Sequence, residues 1–134
     1  MSARLQTLLA PHYDVLASVI DGSALVAAVR QHMPDVIVTD IDMPGLTGLE
    51  AARQIVSEHP QARIVFVTGL HDRDVIRAAL ATGAFGYVVK RDVGLELVPA
   101  IHACVERQIY ISSAGWEALG PALRPGLNWS NTEQ

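Results

Sequence analysis

The chain has a single cysteine, Cys104. That excludes an internal disulfide framework and a cysteine-based structural zinc site. The five histidines (His12, His32, His59, His71, His102) are scattered and never fall as a His-x-x-x-His pair. Aromatic residues make up only 5% of the chain, so aliphatic packing has to dominate the core. No apolar run approaches the ~18 residues of a membrane-crossing helix. Residues 1–11 lack the longer apolar block and cleavage site of a secretory signal. Basic residues are outnumbered, with a net charge of −4, so the broad positive surface of an autonomous nucleic-acid binder is not expected. A cytoplasmic chain that binds neither DNA nor membrane directly is the default expectation.

What is present is ample aliphatic residue in a length that suits one domain, 134 residues of which half are apolar. Residues 2–10 read as a helix with Leu5, Leu8 and Leu9 on its apolar side. Residues 13–20 alternate in the manner of a strand and close at Asp21-Gly22. Residues 23–32 space Leu25, Val29 and His32 at helical intervals and stop before Pro34. A short β-branched run at 36–39 ends at Asp40, and a loop punctuated by Pro44, Gly45 and Gly48 follows. Residues 49–59 form the next helix, with Leu49, Ala52, Ile55 and Val56 on one face.

A wholly apolar strand at 64–67 ends at Thr68-Gly69. Asp72 suits the cap of a helix at 73–82, whose inner stripe is Val75, Ile76, Ala79 and Leu80, with Gly83 just past its end. A third short strand at 86–89 ends at Lys90. Asp92 is then expected to cap a helix running to about Gln108, with Leu95, Val98, Ile101 and Val105 inward and Pro99 kinking or delaying it. A weak helix at 114–119 and a loose tail complete the chain. The expected division is a main domain over 1–112 and a short C-terminal helix and flexible tail over 113–134, with Trp116 and Trp129 as candidate anchors.

Apolar strands without alternation, separated by helices, imply an α/β fold: a doubly wound parallel sheet covered on both faces. Ligands of such sheets bind beyond the carboxyl ends of the strands. Three strands end there in a reactive side chain: Asp40, Thr68 and Lys90. A nucleophilic carboxylate, a hydroxyl donor and a charge-neutralising ammonium at one edge suit phosphoryl transfer. Taken singly, the Asp is more simply a turn former, the Thr a strand former and the Lys a solvated edge; their joint placement carries the reading.

Val-Ile-Val-Thr-Asp-Ile-Asp-Met-Pro-Gly-Leu-Thr-Gly (36–48), Ile-Val-Phe-Val-Thr-Gly (64–69) and Gly-Ala-Phe-Gly-Tyr-Val-Val-Lys (83–90) resemble the response-regulator receiver domain of two-component signalling, a CheY-like, flavodoxin-like fold. The flavour is that of NarL/FixJ-type regulators. The resemblance implies that Asp40 is the phospho-acceptor from a histidine kinase or phosphotransfer protein. It further implies that Thr68 is the switch hydroxyl contacting phosphate, with Gly69 leaving room for it, that Lys90 is the ion-pairing lysine, and that Tyr87 is the switch aromatic. Arg91 stands where many receivers have proline, a departure that NarL-type receivers share.

The larger departure is at the start. A receiver begins with an apolar strand, central in the order 2-1-3-4-5, that ends in two adjacent acidic residues holding Mg²⁺. This chain opens on what resembles the following helix, and no two acidic residues are adjacent anywhere in it. Of the family's metal ligands only the Asp40 carboxylate and the Asp42 backbone carbonyl are left, so Mg²⁺ binding is expected to be weak or absent and phosphorylation slow. A gap of one strand could close by direct pairing of 13–20 with 36–39, or by a strand from a second copy, or Met1 is a downstream methionine of a longer protein.

Two other functions stay open on the sequence. One is a degenerate receiver that acts as a phosphorylation-independent interaction module, with residues 92–108 and the tail as surfaces and a homodimer as one outcome. The other is an Asp-x-Asp phosphatase of the haloacid-dehalogenase type, with Asp40 as nucleophile and Asp42 as general acid. That enzyme needs a later acidic metal motif, for which Asp92, Glu96 and Glu106 are the candidates, all in helical sequence. A non-enzymatic receiver is the expectation.

Overall fold

The structure is a computed structural model that describes residues 21–42, 47–69 and 72–120. The helix and strand expected before residue 21, the tip of the 43–46 loop and the tail beyond residue 120, including Trp129, lie outside the described residues. The elements in order are α1 (Gly22–His32), β1 (Ile37–Thr39), α2 (Gly48–Glu58), β2 (Ile64–Thr68), α3 (Arg73–Ala81), β3 (Gly86–Val89), a 3₁₀ turn (Lys90–Asp92), α4 (Val93–Val105), β4 (Tyr110–Ile111) and α5 (Ser113–Leu119).

Local chemistry sets most of these boundaries. Asp21 caps α1 by accepting the Ala24 N–H at 2.7 Å, and the chain leaves that helix through Met33 in a left-handed conformation just before Pro34. His32, expected on the inner face of α1, is exposed, and Val26 is buried in its stead. A reciprocal Thr47–Glu50 capping box starts α2. Asp72 caps α3 by accepting the Val75 N–H at 3.0 Å, and Gly83 follows that helix with φ +99°, where a side chain would be strained.

The four described strands form one parallel sheet in the order β1-β2-β3-β4. All five residues of β2 and all four of β3 are buried. This is the pattern of strands covered on both sides. One face carries Ile37, Ile64, Phe66, Tyr87 and Val89 and packs against α1, α2, α3 and α5. The other face carries Val65, Val67 and Val88 and packs against α4 through Val93, Leu97, Ala100, Ile101 and Cys104. The α/β parallel-sheet reading therefore holds.

Three expectations need correction. Asp92 does not cap α4: its backbone is already helical (φ −94°, ψ −4°) and it makes no capping bond there. The helix ends at Val105 rather than near Gln108, because Arg107 turns to φ +59°. The inner face of α4 is also rotated from the one expected, since Leu95 is 88% exposed and Val105 is exposed, while Val93, Leu97 and Cys104 point inward. Pro99 sits within α4 without ending it. It shares the solvent-facing strip with Leu95, whose carbonyl is the one that loses its partner.

The sequence reading also missed β4. The Tyr110 N–H donates to the Phe85 carbonyl at 2.8 Å and the Ser112 N–H to the Tyr87 carbonyl at 2.9 Å, adding a fourth strand beside β3. The helix expected to open the tail, α5, packs into the main core through Ala114 and Leu119.

Candidate functional site

Asp40 follows β1 directly and Lys90 follows β3, at the carboxyl edge of the sheet. The Lys90 ammonium lies 2.8 Å from Asp40 Oδ2, with the two side chains 58% and 29% exposed. The second carboxylate oxygen, Oδ1, accepts the Asp42 N–H at 3.2 Å. Two residues fifty apart in sequence are thus brought together by two parallel crossovers, as the strand-end reading requires.

Thr68 closes β2, the strand between those two, and is fully buried. It shares the sheet face of Phe66 and, through the register Phe66↔Tyr87, that of Tyr87. A β-carbon added at Gly69 would meet nothing within 4 Å, so there is open space just past Thr68. Tyr87 is fully buried, with its ring in the larger core. Burial, helped by the negative charges of Asp72 and Asp40, raises its phenol above the ordinary value, so it stays a neutral hydrogen-bonding group.

The backbone around Asp40 is fixed from the helix side. The Gly48 N–H donates to the Ile41 carbonyl at 2.8 Å. A β-carbon at Gly48 would fall 1.9 Å from the Asp40 carbonyl oxygen and 2.8 Å from Ile41 Cα, so only glycine lets α2 start this close. The sequence marked Gly48 as loop punctuation and gave no sign of this contact.

The other edge residue, Lys90, is held by groups that the sequence did not point to. Ser112 is fully buried, and its Oγ accepts the Val89 N–H at 3.0 Å. Asp92, expected to cap α4, instead accepts the Ala114 N–H at 3.0 Å. Glu96 accepts the Ser113 N–H at 3.1 Å and the Tyr110 hydroxyl at 2.8 Å. These partners are 14 to 23 residues apart in sequence, too distant for any local pattern to show.

Mg²⁺ asks for near-ideal octahedral oxygen coordination. Among the described residues no three His, Cys, Asp or Glu side chains gather in a way that could hold a metal ion. Both oxygens of Asp40 are already engaged, one by Lys90 and one by a backbone amide. What remains is a partly exposed carboxylate held at a fixed angle beside an ammonium, a pair suited to accepting a dianionic electrophile. No helix among the described residues is long and apolar enough to cross a membrane.

A family model described as the response regulator receiver domain matches residues 1–102. In sequence, the chain is 32% identical over 101 residues to the transcriptional regulatory protein DegU of Brevibacillus brevis, covering 75% of this chain and 43% of that protein. In structure, it superposes on a two-component response regulator of the LuxR family from Aurantimonas sp. SI85-9A1 with TM-score 0.78 and 32% identity, covering 81% of this chain and 78% of the other. It also superposes on the signal receiver domain of the putative response regulator NarL from Mycobacterium tuberculosis, with TM-score 0.72 and 26% identity, covering 77% and 85%. The chain spans less than half the length of the curated relatives it matches.

Proposed function

The chain belongs to the response regulator receiver domain family of two-component systems, and from that premise we propose that Asp40 is its phospho-acceptor. The observation that carries this reading is the 2.8 Å pair between Asp40 and Lys90 at the carboxyl edge of the sheet. The donor is the phosphohistidine of a kinase or phosphotransfer protein. An Asp40 oxygen forms the new O–P bond while the donor's N–P bond breaks, and the leaving imidazole keeps that electron pair. Lys90 neutralises charge on the phosphoryl oxygens. Thr68 is the switch hydroxyl that turns to contact the phosphoryl group, and Tyr87, on the same sheet face, follows it.

Metal binding by the 134-residue chain is weak in this proposal, and transfer is correspondingly slow. Two observations support that: no two acidic residues are adjacent in the sequence, and the described residues gather no three-group metal site. The same observations favour a second reading, in which this is a degenerate receiver acting through protein contacts, a homodimer among them, without phosphorylation. The phosphatase reading loses support because Asp92 and Glu96 direct their carboxylates to backbone amides of α5 rather than to the Asp40 edge. The chain is proposed to be a non-enzymatic, cytoplasmic module without direct DNA or membrane binding.

The test is intact-mass measurement after incubation with acetyl phosphate, with and without Mg²⁺. Slow, substoichiometric phosphoryl gain that disappears in Asp40→Asn is expected. A stoichiometric, Mg²⁺-dependent gain would overturn weak metal binding, and a gain that survives Asp40→Asn would overturn the acceptor assignment. Intact signalling by Asp40→Ala in cells would establish the phosphorylation-independent reading.

A further inference from the structure

Three bonds bracket Lys90, and all of them run to the stretch that follows the family match. On one side, the Val89 N–H donates to Ser112 Oγ at 3.0 Å. On the other, Asp92 Oδ2 accepts the Ala114 N–H at 3.0 Å, and one turn later Glu96 accepts the Ser113 N–H at 3.1 Å. The first amides of a helix have no partner within it. Here two carboxylates supply those partners to α5, at the end of the helix where negative charge is favoured.

Lys90, Arg91 and Asp92 form one 3₁₀ turn, closed by the Val93 N–H on the Lys90 carbonyl. A single turn of three residues has no internal joint, so the backbones of Lys90 and Asp92 move together. The side chain of Lys90 reaches to Asp40 while the carboxylate of Asp92 reaches to α5. One rigid turn therefore touches both the ion pair and the last described helix.

What α5 covers gives this link a consequence. The helix lies so close to the sheet that a β-carbon at Gly115 would be 2.6 Å from Ile111 Cγ2, 3.8 Å from Tyr87 Cδ1 and 3.9 Å from Ile76 Cδ1. Its own Ala114 and Leu119 are buried against the core. Lifting α5 would bare an apolar strip of Ile76, Tyr87 and Ile111 beside the site.

We propose that α5 is a latch whose closure is set by the Asp40–Lys90 pair, so that an event at Asp40 is transmitted through the Lys90–Asp92 turn to residues 113–119 and the chain after them. The coupling itself rests on the bonds around Lys90; its use as a signal rests on Asp40 being the acceptor.

Amide hydrogen exchange on the full chain tests it. Asp92→Asn with Glu96→Gln should speed exchange at Ser113, Ala114 and Trp116 about tenfold, the size of one charged hydrogen bond lost. Lys90→Met, a change at a side chain 58% exposed, should speed the same amides several-fold. Glu117→Gln, which removes only the surface contact with Arg91, should leave them unchanged.

If Lys90→Met affects only amides near residues 40–42 and 89–91, the flexible lysine stem absorbs the change and the proposal fails. It fails equally if Glu117→Gln speeds α5 as much as Lys90→Met does. Phosphoryl gain is measured separately by mass, so a chain that takes no phosphate but shows the Lys90 effect upholds the latch and overturns only the acceptor reading.

Discussion

Gly48 stands against the Asp40 carbonyl so closely that a β-carbon there would lie 1.9 Å from its oxygen. The obstacle is backbone, which cannot swing aside as a side-chain tip can. Gly48→Ala is expected to cost about 1–3 kcal/mol, the usual range for forced overpacking. Urea denaturation reads the loss, and amide chemical shifts at residues 40–42 should move with it. Unchanged shifts at 40–42 would show that α2 retreats without disturbing the acceptor loop.

Lys90 holds Asp40 from solvent, with its own side chain 58% exposed. An ion pair this open contributes less than about 1 kcal/mol to folding. Lys90→Met should therefore leave the urea midpoint nearly unchanged while lowering phosphoryl gain at Asp40 by about 100-fold, the scale for removing one charge-stabilising donor. Equal losses in stability and labelling would assign Lys90 a structural role instead.

Ser112→Ala leaves the buried Val89 N–H without its acceptor. The expected cost is about 1–3 kcal/mol, the desolvation penalty of one orphaned donor. Differential scanning calorimetry measures it, and a change within error would mean that water replaces the hydroxyl.

Burial raises the Cys104 thiol from 9.0 to about 12. The folded state thus holds its proton where the unfolded chain has lost it, and stability falls as pH rises above about 9. Tyr87 and Tyr110, also raised by burial, act in the same direction at higher pH. On the acid side, the Arg30 guanidinium holds the Glu58 carboxyl down to about 2, so that contribution is lost as pH falls from about 4.5 toward 2. Urea midpoints for the chain and for Cys104→Ala should converge between pH 8 and pH 11, to a degree set by this thiol; parallel curves would remove Cys104 from the account.

Leu95 and Leu97, neighbours on α4, should respond in opposite ways to truncation. Leu95 is 88% exposed, so Leu95→Ser is expected to stay within about 0.5 kcal/mol. Leu97 is 1% exposed, so Leu97→Ala should cost about 2–5 kcal/mol. A reversed order in chemical denaturation would restore the helix phase expected from sequence.

These contrasts also mark where the sequence was informative. From α1 to β3 the boundaries were legible because their determinants are local: Asp72 as a cap, Gly83 past a helix end, unbroken apolar runs for β2 and β3. The Asp40–Lys90 pair was legible because parallel strands bring their carboxyl ends to one edge. In α4 the residues at 93, 95, 97 and 98 are all apolar, so periodicity does not fix which side faces the sheet, and spacing alone puts Leu95 in the core. The two residues of β4 are too few for any period to register. Asp92 looked like a cap because the turn at 90–92, which gives it a helical backbone, is invisible to spacing, and its actual partner lies 22 residues ahead.

The brevity of β4 matters for how these molecules coexist in a crowded solution. Sheet margins recruit foreign strands when they offer a long, flat row of unbonded peptide groups. On this margin the template lasts only from Tyr110 to Ile111 before the backbone coils into a helix. An intruding strand finds too little to align with, and β3, buried along its whole length, is shielded on that flank.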